Sequence, residues 1–338
     1  MIKKYSISKD NKIYRAFPDL ILVDNKLICA FIEMDKTDKI FNICITTSND
    51  RGITWNDRKI IKSKIDDNGR WDAPRINRMK NGDIIITSSW YLNDDKSKKN
   101  SYIYMFYLDN NLDIIKEIKT SMTGIVPDKI LELNDKWILI SQERNENLDP
   151  IIYFSYDFGN TWTDKKIIIH DDNYNLCESS SILIDDKIVV LMRENSNKGI
   201  DALKIISNDY GNTWSEIYNM PIPACHRPVI THLMEGYYLI TYRFNQGMFY
   251  GRGHHGQNIM GCLIKDNDML EVDRDKIESR IFPIDYDRNI NSNCGYTGCV
   301  QFSDGMIYVV SFIIDDNPVG QIRGYSFYLD DIIIEGGL

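Results

Sequence analysis

The sequence predicts an all-β fold, a six-bladed β-propeller with four antiparallel strands in each blade. Two repeats support this prediction. A turn with the pattern Ser-x-Asp-x-Gly-x-Thr-Trp occurs three times, at 48–55, 155–162 and 207–214. A longer unit, with an irregular start, an apolar strand, a short Asp/Asn/Gly turn and a second apolar strand, begins at residues 14, 71, 124, 177, 225 and 294. Six such units with almost no helical periodicity are typical of a propeller.

Composition and charge limit what the predicted single domain, residues 1–338, can do. Hydrophobic residues make up 43% of the chain and charged residues 26%, which is enough for a large core. The formal net charge is −9 and there is no long basic run, so nucleic acid is not expected as a partner. If the substrate is anionic, its site must be a local positive patch on an acidic protein.

The sequence also gives expectations about location and metal content. No apolar run approaches ~18 residues, and the first residues contain no apolar segment of a secretory signal, so we expect no membrane span and a cytoplasmic protein by default. A chain whose signal had been removed would look the same, so secretion remains open. The seven cysteines lie mostly in apolar runs and are predicted to be buried thiols. No metal or cofactor is expected, and the oligomeric state stays open.

The repeated turn is predicted to join two strands at the outer rim of a blade. Its aspartates, Asp50, Asp157 and Asp209, can accept hydrogen bonds from backbone N–H groups of the turn. The glycine suits a positive φ, and the tryptophan can pack back on the sheet. These turns therefore have a structural function, and the active centre should be sought elsewhere.

The last units leave two questions about the strands. The unit between 225 and 294 is the longest, and we expect an insertion near 271–289. The last unit has its third strand at 320–329, and its outermost strand is supplied either by KKYSIS (3–8) or by DIIIEG (331–336).

Candidate functional residues lie around the predicted axis, where the innermost strands begin. Several arginines and carboxylates with a tyrosine on one axis are not a packing pattern. The candidates from the strand starts are Arg15, Asp72, Glu178, His226, Arg227 and Tyr296, those from the second-strand ends are Arg193 and Arg243, and those from the following loops are Asp38 and Arg252.

The repeated turn resembles the Asp-box (BNR repeat) of the sialidase superfamily, and the resemblance covers nearly the whole chain. The axial groups also resemble those of exo-sialidases in their order. YRAFPDL is similar to the aromatic-Arg-x-Pro motif of the first blade and gives Arg15, with two residues before the proline where the family usually has one. Asp38, in MDKTDKIFNICITTS, matches the place of the catalytic Asp.

The fourth and last units continue this resemblance. CESSSILIDDKIVVLMREN supplies Glu178 and Arg193, and CGYTGCVQFSDG supplies Tyr296 before its strand. The family's third arginine lies in the fifth blade, where the sequence departs from the usual pattern. Arg252 is the first choice, Arg243 the second, and Arg227 can replace or supplement either.

The resemblance implies an exo-α-sialidase-like retaining hydrolase that releases a terminal sialic acid or a related nonulosonic acid from a sialylated glycan. Tyr296 would be the nucleophile, Glu178 its base and Asp38 the acid/base, with no metal. Converging arginines suit the sugar carboxylate because they stay charged and make paired hydrogen bonds. A tyrosine suits the nucleophile because it is neutral before it reacts.

Two other functions remain open from the sequence. A propeller lyase or hydrolase acting on uronic-acid glycans would use an Arg with a His/Tyr pair, and it is suggested by His226, Arg227, Tyr242 and Arg243. A non-catalytic propeller that binds acidic sugars would keep the arginines without the catalytic set.

Overall fold

Six four-stranded antiparallel sheets follow one another along the chain. The computed structural model describes residues 1–37, 39–65, 68–93, 100–196, 198–245 and 256–333. Within these ranges each sheet contains consecutive strands, except that the sixth sheet takes its outermost strand from the N-terminus. The prediction of a six-bladed propeller with four antiparallel strands per blade is confirmed.

The strand bounds show how each blade runs from its inner to its outer strand. The chain begins with β1 (Lys3–Ser8), the outer strand of blade 6. Blades 1 and 2 contain β2 (Tyr14–Val23), β3 (Lys26–Met34), β4 (Phe41–Ser48), β5 (Lys59–Ser63), β6 (Gly69–Arg78), β7 (Ile84–Leu92), β8 (Tyr102–Leu108) and β9 (Ile114–Lys119). Blades 3 and 4 contain β10 (Leu131–Glu132), β11 (Trp137–Arg144), β12 (Leu148–Ser155), β13 (Lys166–Ile167), β14 (Leu176–Ile184), β15 (Lys187–Glu194), β16 (Leu203–Ser207) and β17 (Tyr218–Asn219). Blade 5 and the rest of blade 6 contain β18 (Cys225–Leu233), β19 (Tyr237–Asn245), β20 (Gln257–Lys265), β21 (Ser279–Tyr286), β22 (Cys294–Gln301), β23 (Ile307–Ile313) and β24 (Gln321–Phe327).

The N-terminal strand closes the propeller. β1 pairs antiparallel with β24, with Lys3 opposite Ser326 and Tyr5 opposite Gly324. KKYSIS is therefore the closing strand of the two candidates, and Asp331, the first residue of DIIIEG, is the last residue of the short 3₁₀ helix Leu329–Asp331. The predicted insertion near 271–289 is partly wrong, because β21 within it is the ordinary outer strand of blade 5. The short 3₁₀ helices Asp266–Asp268 and Arg274–Lys276 account for extra length before it.

The core consists of apolar clusters between neighbouring blades. Six such clusters occur among the described residues; five of them mix side chains of two adjacent blades, and the sixth joins residues of blades 1, 2, 3 and 6. One of them joins Phe31 of blade 1 to Tyr308 of blade 6, so the ring of blades is closed. All seven cysteines are buried and free, as predicted. Burying both faces of each sheet in this way stabilises a large all-β ring.

The repeated turns share one hydrogen-bond pattern. In the turn at 207–214, the backbone N–H and the hydroxyl of Thr213 donate to the two carboxylate oxygens of Asp209, at 2.8 and 2.6 Å. The N–H of Gly211, whose φ is +89°, donates to Ser207 Oγ at 2.8 Å. The turns at 48–55 and 155–162 repeat these contacts. Each turn joins the third strand of its blade to the fourth, which gives it the structural function expected from the sequence.

Polar side chains at or beside the inner strands tie neighbouring blades together. Asp19 Oδ2 accepts from the N–H of Ile76 at 2.9 Å, and Asp128 Oδ2 accepts from the N–H of Ser181 at 2.7 Å. These bonds link blade 1 to blade 2 and blade 3 to blade 4. They satisfy buried backbone donors and fix the inner strands relative to each other around the axis.

Candidate active site

One residue near the start of each blade has a left-handed backbone conformation. Their φ angles lie between +38° and +55°, and in five blades the pairing register shifts at the same place, which is a β-bulge. Such angles are uncommon outside glycine and cluster at functional sites. The six residues are Phe17, Ala73, Val126, Glu178, Arg227 and Tyr296. Two of them, Glu178 and Tyr296, are the predicted base and nucleophile.

An axial cavity of about 470 Å³ lies beside these bulges. Its wall contains Glu178, Tyr296 and three arginines, Arg70, Arg144 and Arg193. This volume is in the range of small-molecule sites. Three arginines against two carboxylates, Asp72 and Glu178, leave the cavity positive in a chain with net charge −9, as an anionic substrate requires.

Tyr296 and Glu178 meet across the axis from blades 6 and 4. The Tyr296 hydroxyl donates a hydrogen bond to Glu178 Oε1, and both side chains are at least nine-tenths buried. The Tyr296 ring packs against Phe17, with centroids 4.4 Å apart, and against Phe312 at 6.2 Å. The structure thus brings together a nucleophile and a base that are 118 residues apart in the chain.

Arg193 lies on the other side of Glu178. Its Nη1 donates to Glu178 Oε2 at 2.6 Å, and its Nη2 donates to Asn195 Oδ1. Arg193 pairs with Cys177 in the β14–β15 hairpin, so one hairpin supplies both the carboxylate and the guanidinium. From blade 3, Gln142 Oε1 accepts a hydrogen bond from the N–H of Glu178. Glu178 is therefore fixed through both its backbone and its carboxylate.

These contacts set the protonation states of the pair. Burial raises the pKa of Glu178, but the Arg193 and Arg243 guanidiniums and the Tyr296 hydroxyl outweigh it and lower the pKa to about 2. Burial and the charge of Glu178 hold the pKa of Tyr296 well above its usual value. Glu178 is thus ionised and Tyr296 protonated at neutral pH.

Arg227 and Arg243 of blade 5 flank the Tyr296 ring. Their Cζ atoms lie 5.6 and 5.7 Å from its centroid. Arg227 is completely buried and donates from Nη1 to the carbonyl oxygen of Ser179 at 2.9 Å. Arg243 is more than nine-tenths buried and donates to the carbonyl oxygen of Cys294 at 3.4 Å. Neither side chain lines the described cavity, so both contact the Tyr296 ring from outside the cavity wall.

Arg15 also lies behind the cavity wall. Its backbone N–H donates to the carbonyl oxygen of Gly320 at 2.9 Å, and its Nε lies 3.7 Å from Glu33 Oε2. The adjacent Tyr14 and Phe17 line the cavity, whereas the Arg15 side chain is more than nine-tenths buried. Two further predicted site residues, Asp38 and Arg252, fall outside the described residues.

Blade 2 contributes a polar group of three side chains, of which only Asp72 was among the candidates from the sequence. The Tyr91 hydroxyl donates to Asp72 Oδ2 at 3.0 Å and accepts from Arg70 Nε at 2.8 Å. All three residues line the cavity. Burial and the charge of Asp72 raise the pKa of Tyr91, so it remains a donor to the carboxylate. Asp72 was visible as a strand-start carboxylate, and Arg70 stands two residues before it.

Arg144 was missed although the sequence contained a signal for it. It ends the second strand of blade 3, as Arg193 and Arg243 lie at the ends of the second strands of blades 4 and 5.

Among the described residues, no group of three His, Cys, Asp or Glu side chains could hold a metal ion. In the same part of the chain, no helix has the length and apolar character needed to cross a membrane.

Comparison with known proteins shows the fold. No protein-family model and no curated protein match the sequence. One similar solved structure is a protein of unknown function from Dyadobacter fermentans, with a TM-score of 0.77 and 16% identity over 96% of this chain and 98% of that chain. A second is the Hadza microbial sialidase Hz136, with a TM-score of 0.71 and 16% identity over 98% of this chain and 69% of that chain. Another is an α-L-arabinanase from Penicillium chrysogenum, with a TM-score of 0.67 and 12% identity over 97% of this chain and 99% of that chain. The chain therefore has the six-bladed propeller fold of sialidases, which arabinan-degrading enzymes share.

Proposed function

We propose that this protein is a retaining glycoside hydrolase that releases a terminal sialic acid or a related nonulosonic acid. The observation that carries the proposal is the buried Tyr296–Glu178–Arg193 contact at an arginine-lined axial cavity. The fold shared with sialidases and arabinanases supports glycosidase chemistry. The arginines support an acidic rather than a neutral sugar.

The sugar carboxylate would bind at Arg193. This guanidinium faces the cavity beside the base and presents a planar fork that matches a carboxylate. Arg15 and Arg243 would add positive charge from behind the wall, while Arg227 supports the Tyr296 ring. Arg252 remains the sequence-based candidate for the third arginine that binds the sugar carboxylate.

The reaction would proceed in two displacements. In the first, the Tyr296 oxygen attacks the anomeric carbon, its proton passes to Glu178, and the bond to the leaving-group oxygen breaks as that oxygen is protonated. In the second, a water molecule attacks the same carbon as Asp38 takes its proton, the bond from Tyr296 to that carbon breaks as Glu178 returns the proton to the Tyr296 oxygen, and the configuration is retained. A neutral tyrosine can approach a sugar that carries a carboxylate without the repulsion that a carboxylate nucleophile would meet.

Substrate binding would itself activate the base. In the free protein, Arg193 keeps Glu178 a weak base. A substrate carboxylate that pairs with Arg193 competes for that positive charge, so the pKa of Glu178 rises and proton transfer from Tyr296 becomes easier. Neutral sugars lack this effect, which gives a physical reason for selectivity beyond simple binding.

The acid for the leaving group is proposed to be Asp38, as the resemblance implies. Asp72 is the second carboxylate of the described cavity, and it accepts a hydrogen bond from Tyr91, which Arg70 holds in place. Asp72 Oδ2 thus already acts as a hydrogen-bond acceptor in this arrangement. We therefore assign it to accepting hydrogen bonds from sugar hydroxyl or amide groups.

The uronic-acid alternative has less support. His226, Arg227, Tyr242 and Arg243 are all more than nine-tenths buried, and none of them lines the described cavity. They would need a different opening to reach a substrate. The sialidase-type reaction uses Glu178, Arg193 and Tyr296, which already line the axial cavity.

The test is fluorescence release from 4-methylumbelliferyl glycosides. We expect release from the α-glycoside of N-acetylneuraminic acid, and none from the β-glucuronide or the α-L-arabinofuranoside. Release from either of the latter alone would contradict the proposal. Saturable binding of N-acetylneuraminic acid without turnover of its glycoside would instead indicate a sugar-binding propeller.

A further inference from the structure

A second pocket adjoins the axial cavity on the side of blade 3. Its volume is about 220 Å³, and Arg144 lines both the cavity and this pocket. Its other charged residues are Glu143 and Lys165, and Asn145 and Thr123 add polar groups. We call it the rim pocket. A pocket of this volume lies below the usual range for an independent small-molecule site, but it suits an extension of the larger cavity.

The charges of the rim pocket favour an anion. Lys165 Nζ pairs with Glu143 Oε2, and the Lys165 side chain is 47% exposed whereas that of Glu143 is 17% exposed. The Lys165 ammonium group is therefore more accessible to a ligand than the Glu143 carboxylate that it covers. In the part of the chain that the structure describes, the Arg144 side chain makes no hydrogen bond or ion pair. Its guanidinium can therefore pair with a ligand, and it lies at the boundary between the axial cavity and the rim pocket.

We propose that the rim pocket binds the sugar on the leaving-group side of the scissile bond, and that this sugar carries a carboxylate. The inference rests on the proposed function, because it needs the acidic sugar to be cleaved in the axial cavity. Arg144 and Lys165 would pair with the second carboxylate, while Asn145 and Thr123 can bind hydroxyl groups. The preferred substrate is then an oligomer of acidic sugars rather than an acidic sugar on a neutral glycan.

The test compares two substrates across variants of opposite charge. The substrates are the α2,8-linked dimer of N-acetylneuraminic acid and 3′-sialyllactose, and the measured quantity is the ratio of their kcat/KM values. Lys165→Gln removes a positive charge and is expected to lower the ratio roughly fivefold. Glu143→Gln removes the neutralising carboxylate and is expected to raise it by a similar factor. A merely structural effect would change both substrates together and would leave the ratio fixed.

A matched pair of controls lies outside the site. Lys265 and Glu278 form a similar exposed ion pair of 2.7 Å on blade 5. Lys265→Gln and Glu278→Gln change the net charge in the same way and should leave the ratio unchanged. If both substrates are cleaved but Lys165→Gln and Glu143→Gln do not move the ratio in opposite directions, the rim-pocket proposal is wrong and the proposed function stands. If neither substrate is cleaved, the proposed function fails, and the rim-pocket proposal fails with it.

Discussion

Tyr296→Phe is expected to lower kcat on the sialic acid glycoside by at least about 10³-fold, because the substitution removes the nucleophilic oxygen. The fold should survive, since the ring contacts with Phe17 and Phe312 do not use the hydroxyl. The measurement is kcat for fluorophore release, together with the thermal midpoint of the purified variant. A rate within tenfold of the wild type would exclude Tyr296 as the nucleophile.

Tyr325→Phe is the matched control. Tyr325 is completely buried in the same blade, and its hydroxyl also donates to a carboxylate, Asp285 Oδ2, at 2.9 Å. It lies outside the wall of the described cavity. Loss of this bond to a carboxylate should lower the free energy of unfolding by about 2 kcal/mol and leave kcat unchanged. If Tyr325→Phe lowered kcat as much as Tyr296→Phe, the effect would be one of stability and not of chemistry.

Glu178→Gln is expected to lower kcat by a similar factor, at least about 10³-fold, because an amide cannot accept the proton of Tyr296. The two residues act as one unit, since the base serves only the nucleophile. The double variant with Tyr296→Phe should therefore be no slower than the slower single variant. If the two losses multiplied in the double variant, Glu178 and Tyr296 would have separate roles.

The same substitution changes how stability depends on pH. The folded-state pKa of Glu178 is lowered to about 2 from its ordinary 4.5, so its stabilising effect is complete above about pH 4.5 and is lost as pH falls toward 2. Glu178→Gln has no such titration. The difference in free energy of unfolding between the wild type and Glu178→Gln should thus narrow from pH 6 to pH 3. A constant difference would mean that Glu178 is not held ionised by Arg193.

The sequence predicts the propeller because its turns are determined locally. The Ser, Asp, Gly and Thr of each repeated turn bond to one another within eight residues, so the pattern alone indicates the structure. The order of Glu178, Arg193 and Tyr296 along the chain also fixes their blades. Their convergence follows once each is placed at the start of an inner strand or the end of a second strand.

The parts that the sequence did not predict depend on three-dimensional placement. Both candidate closing segments read as strands, and only the position of the chain ends selects β1. Arg227 and Glu178 share the same bulge position, yet Glu178 reaches the cavity and Arg227 is buried behind Tyr296. The sequence does not say which way each side chain turns. The Arg70–Tyr91–Asp72 group joins side chains of two strands, and its partners cannot be read from spacing alone.

The most direct test of the account is to identify the residue that becomes covalently bound to the sugar. A fluorinated, activated glycoside of N-acetylneuraminic acid slows hydrolysis of the intermediate, so the adduct can be located by mass spectrometry of peptides. We expect one adduct, on Tyr296, and none in Tyr296→Phe. An adduct on another side chain, or consumption of the probe with Tyr296 unmodified, would contradict the account.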